Sequence, residues 1–391
     1  MKKDFEYVVV GCGGIGSAAA YWLSREAGDE VLALEQFHLG HERGGSEDHS
    51  RIIRLSYHAP EYTALTPHTF EAWAEVEEES GTRLVVKTGG LDLEPVEDKP
   101  KYVSQYAGAM RAAGIPFEEL SADEVMRRFP QFRLDGSVRA VYQEDAGLVD
   151  AGRANATHVA LARTRGATVL DDTPVRGLRT VGDGVEVETD KATFSARRLV
   201  VAAGAWTNHV LRHFGVEIPL TCTQEQVTYF GAPDLEEFSP ERFPIWIWHG
   251  GPGSSFYGLP VYGAPGTKTG QDVGGDVVTV DNRTFETNER VLANVRRFLE
   301  RYIPGSLGPE LYTKTCLYDM PPDREFVLGT LPEHPQISLF NGAGHGFKFA
   351  SLAGKILSQL AVRGETSYPI DAFLPDRPAL TDPSYEPVFA M

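Results

Sequence analysis

Cysteine is scarce in this chain. Its 391 residues include only 3, Cys12, Cys222 and Cys316, and their wide spacing argues for a reducing compartment and against a disulfide scaffold. No C-x-x-C or H-E-x-x-H occurs and the 11 histidines are scattered, so no metal is expected. Positive charge is short too. Against 55 Asp and Glu stand 37 Lys and Arg, a net charge of −18 that argues against nucleic acid or an anionic membrane, since each needs a basic face. No apolar run approaches the length of a membrane span. Lys2-Lys3 is followed by Asp4 and Glu6, and the unbroken apolar run behind them is only Tyr7–Val10, which does not read as a signal peptide. A cytoplasmic location is the expectation. Neither a repeat nor a low-complexity segment occurs. The chain is long for one core, so two domains are expected.

Glycine, by contrast, is plentiful at 40 residues, and its placement is informative. Tyr7–Val10 reads as a buried strand, followed by G-x-G-x-x-G at Gly11, Gly13 and Gly16. A helical stretch runs from Ser17 to Leu23, and a second strand, Glu30–Leu34, ends at Glu35. Gly11 permits a tight turn, Gly13 lets a pyrophosphate approach the backbone, and Gly16 lets helix and strand pack closely. The helix N-terminus offers free N–H groups to phosphate, and Glu35 stands where a carboxylate accepts from ribose hydroxyls. A dinucleotide site follows. The motif alone does not separate NAD from FAD.

A polar loop from His38 to Ser50 leads to Arg51-Ile52-Ile53-Arg54, whose two arginines fit a short helical or turn segment with both guanidiniums on one side. Glu61–Ser80 reads as one helix stopped by Gly81, and Ser121-Ala122-Asp123-Glu124 as a capping box. Leu199–Val201 is a buried strand closed by Ala203-Gly204, a backbone suited to approach a ligand. The aromatic-rich stretches Thr223–Pro233 and Phe243–Gly263 read as an antiparallel sheet able to cover a flat ring, with Lys268 just beyond. Ile337–Phe340 then runs into Asn341-Gly342-Ala343-Gly344-His345-Gly346 and a helix from about Phe349 to Val362. This repeats the opening logic at the other end of the chain.

These blocks resemble a known family. Gly11-x-Gly13-x-x-Gly16, Ser50–Arg54, Ala203–Trp206, Tyr257-Gly258-x-Pro260 with Lys268, Thr315-Cys316-x-Tyr318 and Gly344–Phe349 look like the monomeric sarcosine oxidases and N-methyltryptophan oxidases, over nearly the whole chain. The resemblance implies an α+β two-domain flavoprotein. A Rossmann-like, glutathione-reductase-like domain (residues 1–90, 146–215 and 317–391) would bind FAD, and a mostly antiparallel substrate domain (91–145 and 216–316) would cover it. It implies that Gly11, Gly13, Gly14, Ile15, Gly16, Glu35, Gln36, Ser50, Arg51, Val175, Ala203, Gly204 and Trp206 bind the cofactor. So would the second turn, Gly344, His345, Gly346, Phe347 and Lys348, with Cys316 bonded covalently to the flavin. Arg54 and Lys348 would hold a substrate carboxylate, Tyr257, Tyr318 and Asp272 would line that pocket, and Lys268, Arg51 and His345 would serve catalysis. Asp272 stands where sarcosine-oxidising members carry a histidine. Glu47-Asp48 replaces a His-Gly, and Glu225 replaces a basic residue.

The implied activity is oxidation of an N-methyl or other secondary α-amino acid, with O2 reduced to H2O2 by a monomer. Pipecolate, proline or fructosyl amino acids are the alternative substrates within the family. The first glycine motif alone would also admit an NAD(P)-dependent dehydrogenase. Four cations, Arg51, Arg54, Lys268 and Lys348, would build a positive pocket against the acidic field of the chain, as a carboxylate substrate requires.

Overall fold

The computed structural model describes residues 2–96, 101–251 and 253–388. Two large sheets organise them. In the first, Asp4–Val10 lies parallel to Val31–Leu34 on one side and to Thr193–Val201 on the other. Thr168–Leu170 extends the parallel set beyond Val31–Leu34, and His334–Asn341 joins the C-terminal half of Thr193–Val201. Val327–Leu331 closes that edge in antiparallel fashion, and the hairpin Val175–Val181/Gly184–Thr189 pairs with the other half of Thr193–Val201. The continuous apolar runs are explained by burial on both faces. Val9, Ala33 and Val200 enter one core, while Val8, Val10, Leu32, Leu34 and Val201 enter the core on the opposite face.

Helices cover the first of these faces: Gly14–Ala27, Thr66–Ser80, Ala151–Thr164 and Ala350–Arg363. The Ala18-Ala19-Ala20 stripe and Gly354 let the first and last of them pack backbone to backbone. A Cβ on Gly354 would stand 2.5 Å from the Ala18 carbonyl carbon. Trp22 Nε1 donates across this contact to Ser351 Oγ at 3.2 Å. Each fully buried Leu or Ile here contributes about 1.5–3 kcal/mol.

The second sheet runs Glu310–Met320, Thr221–Phe230, Thr267–Gln271, Phe256–Leu259, Ile245–Trp248, Gly90–Pro95, Val138–Gln143, Glu118–Ser121. Its pairs are antiparallel apart from Ile245–Trp248 with Gly90–Pro95. Strand alternation divides its faces. Trp246, Trp248 and Phe256 turn toward helix Glu289–Tyr302, where Phe298 stacks on Trp246 and Phe256 at 5.3 and 4.4 Å. Ile247, Tyr257, Leu259 and Lys268 turn the other way, into a cavity. A small antiparallel sheet of Arg51–Ile53, Gly147–Val149 and Val85–Lys87 completes the set.

Two local expectations are corrected. The single helix over 61–80 is two, Pro60–Thr63 and Thr66–Ser80, because Pro67 has no amide to continue the ladder and restarts it instead. The two-arginine segment expected to be a helix or turn is instead a strand over Arg51–Ile53, with Arg54 directly after it, as the β-branched Ile52-Ile53 favours. Extended backbone does not put the two guanidiniums on one side, and Arg51 and Arg54 have separate partners. The capping box at Ser121 is present, with Glu124 answering the Ser121 amide at 2.8 Å.

Candidate active site

A long cavity of about 610 Å³ lies between the first glycine turn and the second sheet. Every residue expected at the site except Gly16 lines it, from Gly11 at one end of the chain to Lys348 at the other.

The first glycine turn is built for close approach. Gly11 has φ 91° and donates its N–H to the Leu34 carbonyl at 2.9 Å. Gly16 stays out of the cavity because it faces that turn: a Cβ there would be 1.8 Å from the Gly11 carbonyl oxygen. Helix Gly14–Ala27 starts with no side-chain cap of its own, so its first amides face the cavity, and Gly14 N–H reaches only Ser46 Oγ, at 2.9 Å. Glu35 is buried at the end of its strand. Burial would raise its carboxyl, but His41 at 3.3 Å and the Cys12 and Phe37 amides at 2.9 and 3.0 Å hold it below the ordinary range. These are the parts of a dinucleotide cradle: helix-start amides at the cavity for phosphate and an ionised acid beyond them.

The second turn closes the far side. Its 3-10 segment Gly346–Phe349 leads directly into helix Ala350–Arg363. His345 is neutral, its pKa lowered well below normal by burial and by Lys348. Its Nε2 donates to the Arg324 carbonyl at 3.1 Å, so its Nδ1 accepts the Tyr57 hydroxyl proton at 3.0 Å. Lys348 Nζ donates to that same Tyr57 hydroxyl at 3.2 Å and to the His345 carbonyl at 2.9 Å. Both partners are neutral. Burial and the nearby Arg54 push the Lys348 ammonium down to about 7.

The other three cations are answered by carboxylates. Lys268, 2% exposed, donates to Asp48 Oδ2 and to the Ser50 carbonyl, both at 2.6 Å. Arg51 donates to the same Asp48 oxygen at 2.8 Å. Arg54 is ion-paired with buried Asp92, which also takes His249 Nε2 at 2.8 Å and the Ser56 hydroxyl at 2.6 Å. Arg54 Nε has no partner among the described residues. Asp272, expected to line the substrate pocket, does line the cavity and is gripped there in bidentate fashion by Arg324 at 2.7 and 2.9 Å. The pocket is therefore less positive than four unopposed cations would make it. Asp92 and Arg324 were missed in the sequence because nothing near them in the chain marks a buried partner, and Asp48 stood out there only as a departure from the family pattern, not as the partner of Lys268 and Arg51.

Cys316 sits on Glu310–Met320, paired in register with Glu225. Burial pushes its thiol up to about 11, against the pull of Arg51 and Lys268. Tyr257 and Tyr318 are hydrogen-bonded neighbours there, and burial raises both hydroxyls. Among the described residues, no helix is long and apolar enough to cross a membrane.

Comparison with known proteins agrees with this geometry. The chain is 35% identical over 387 residues to the monomeric sarcosine oxidase of Streptomyces avermitilis, covering 96% of this chain and 98% of that protein. It is 32% identical to that of an Arthrobacter species, over 97% and 98% of the two chains. The N-methyl-L-tryptophan oxidase of Escherichia coli is 28% identical, over 95% and 98%. Among solved structures, the open form of NikD, described as an unusual amino acid oxidase essential for nikkomycin biosynthesis, superimposes with a TM-score of 0.84 at 28% identity, over 95% and 98%. The family model for FAD-dependent oxidoreductases matches residues 6–360, and the chain belongs to that family of enzymes.

Proposed function

We propose that the protein is an FAD-dependent oxidase of N-methyl or other secondary α-amino acids, acting as a monomer. The observation that carries this is the juxtaposition in one cavity of a dinucleotide cradle, a buried ammonium (Lys268) and a second ammonium with neutral partners (Lys348). The sequence likeness to sarcosine oxidases over nearly full length supports the same chemistry. The first glycine turn, Glu35 and the second turn would hold the FAD, with the second sheet covering its flavin. FAD, when bound, supplies a hydride acceptor and passes two electrons to O2.

The protein's own contribution is orientation and electrostatics. Lys348 meets the substrate carboxylate, and Arg54 offers its unpartnered Nε and shares its charge with Asp92. The cation-bearing pocket lowers the substrate amine's pKa, so the amine arrives neutral and can give up hydride from an adjoining carbon. Water then converts the imine to amine and aldehyde. Lys268 stabilises the negative charge that develops on dioxygen as it is reduced to peroxide. In this reading Cys316 carries the flavin covalently, and the guanidinium of Arg51 favours the thiolate this needs.

A peroxide-coupled screen of sarcosine, N-methylalanine, proline, pipecolate, N-methyltryptophan and fructosyl amino acids tests the proposal. A secondary α-amino acid should give H2O2 stoichiometric with amine consumed. Yellow protein that yields no peroxide with any of them would overturn it.

A further inference from the structure

The sequence pattern that assigns Lys268 a role does not account for Asp48. This carboxylate is 4% exposed and fully satisfied: Oδ2 accepts from Lys268 Nζ and Arg51 Nη1, and Oδ1 accepts from the Tyr229 hydroxyl at 2.6 Å and the His49 amide at 2.8 Å. It also stands in a wall. A second cleft, lined among others by Glu42, His49, Tyr312 and Lys314, meets the main cavity at Glu47, Asp48 and Lys314. Lys314 Nζ lies 4.0 Å from Asp48 on that outer side and is itself paired with Glu42 at 2.7 Å.

We propose that Asp48 is a positioning residue that keeps the buried Lys268 an ammonium while dioxygen is reduced in the cavity, a role that rests on the function proposed above. An ammonium with 2% exposure has lost its water, and a low-dielectric site favours the neutral amine. Arg51 works in the same direction by repulsion, as its cation shares the site. Among the described residues, the groups opposing this around Lys268 are few. From the neighbouring strand comes the Tyr229 ring at 5.8 Å, from the strand beyond it the Cys316 thiol, and from the loop before Arg51 come Asp48 and the Ser50 carbonyl. Of these, Asp48 is the carboxylate in contact. Burial lowers Lys268 to about 8, and the Asp48 contact keeps it from falling further. A surface ion pair would be screened and worth little. This one is buried on both sides, so removing the anion leaves two cations to share one dry site.

The test is stopped-flow reoxidation of the reduced holoenzyme by O2 across pH, for wild type, Asp48→Asn and Lys268→Met, beside anaerobic reduction by substrate. A readout without turnover accompanies it: the pH titration of the oxidised flavin's absorbance, which senses Lys268 changing charge. In Asp48→Asn the pH above which reoxidation slows should move down by roughly one to three units, and the absorbance transition should move with it. The reductive rate should change far less. Lys268→Met should abolish the absorbance transition. If Asp48→Asn retains the wild-type break, the proposal is overturned. If Lys268→Met reoxidises normally, it is instead the assignment of Lys268 that fails. Should Asp48→Asn not fold, Tyr229→Phe serves: withdrawing one donor concentrates charge on Asp48, so the break should move up, and a break that stays or falls counts against the idea.

Discussion

Lys348 and Arg54 offer an incoming carboxylate different things. Lys348 can exchange two neutral partners for the substrate, whereas Arg54 must share itself with Asp92. Arg54→Ala should raise KM for an N-methyl amino acid at least tenfold, about 1.4 kcal/mol, with a smaller effect on kcat. An unchanged KM would remove Arg54 from the carboxylate site. The same substitution strands Asp92, so stability should fall by about 3–5 kcal/mol and recover in part in Arg54→Ala/Asp92→Ala. The arginines and lysines were legible in the chain because they sit in recognisable runs. Their partners were not: Asp92 meets Arg54, and Asp48 meets Lys268, only through the fold, as Arg324 meets Asp272, although Asp48 stands just three residues before Arg51. A second buried group tests stability instead. His158 is sandwiched between Tyr21 and Trp73, its ring nitrogens have no partner among the described residues, and burial lowers its pKa to about 3. Unfolding restores a value near 6.5. Between those values the unfolded chain binds one more proton, so stability falls with pH by about 1.4 kcal/mol per unit below 6.5. His158→Phe should flatten that part of the melting-temperature profile between pH 5 and 7.5, and an unaltered slope would contradict this account.

At the scale of elements, glycine positions separate what is built from what is incidental. Gly16→Ala drives a methyl into the Gly11 carbonyl and should cost at least about 3 kcal/mol or prevent folded, yellow protein from accumulating. Gly108, exposed within helix Tyr102–Ala112, has open space where a methyl would stand, with nothing within 4 Å, and Gly108→Ala should stabilise by about 0.5–1 kcal/mol. Comparable melting temperatures for the two variants would sink the packing argument. Parallel strands and flanking helices were readable because their periodicities are strong, and so was the strand-turn-helix at each end. The break at Pro67 and the extended conformation of Arg51–Ile53 were lost for local reasons, a missing amide and a β-branched pair. The pairing of Ile245–Trp248 with Gly90–Pro95 joins segments far apart in the chain, and no local pattern marks it.

At the scale of the whole molecule, the cavity gathers cations on an acidic chain. At net −18 the chain nevertheless lines one cavity with Arg51, Arg54, Lys268 and Lys348, the last three buried, Arg51 partly so, and three of the four paired with carboxylates. The cavity is bounded by the first sheet's two glycine turns on one side and by the second sheet, with Cys316, on the other. A flavin bonded to Cys316 would fasten the two together. Acid precipitation should then leave the yellow colour in the pellet, and Cys316→Ala should release it to the supernatant. Colour in the wild-type supernatant would mean no such bond.

The central claim is that a carboxylate held by Lys348 and Arg54 presents its amine to the flavin. Anaerobic mixing of the yellow enzyme with an N-methyl amino acid, and separately with the corresponding amide, reads this directly. The acid should bleach the flavin and the amide should not. Equal bleaching by both, or none by any secondary amino acid, would contradict it.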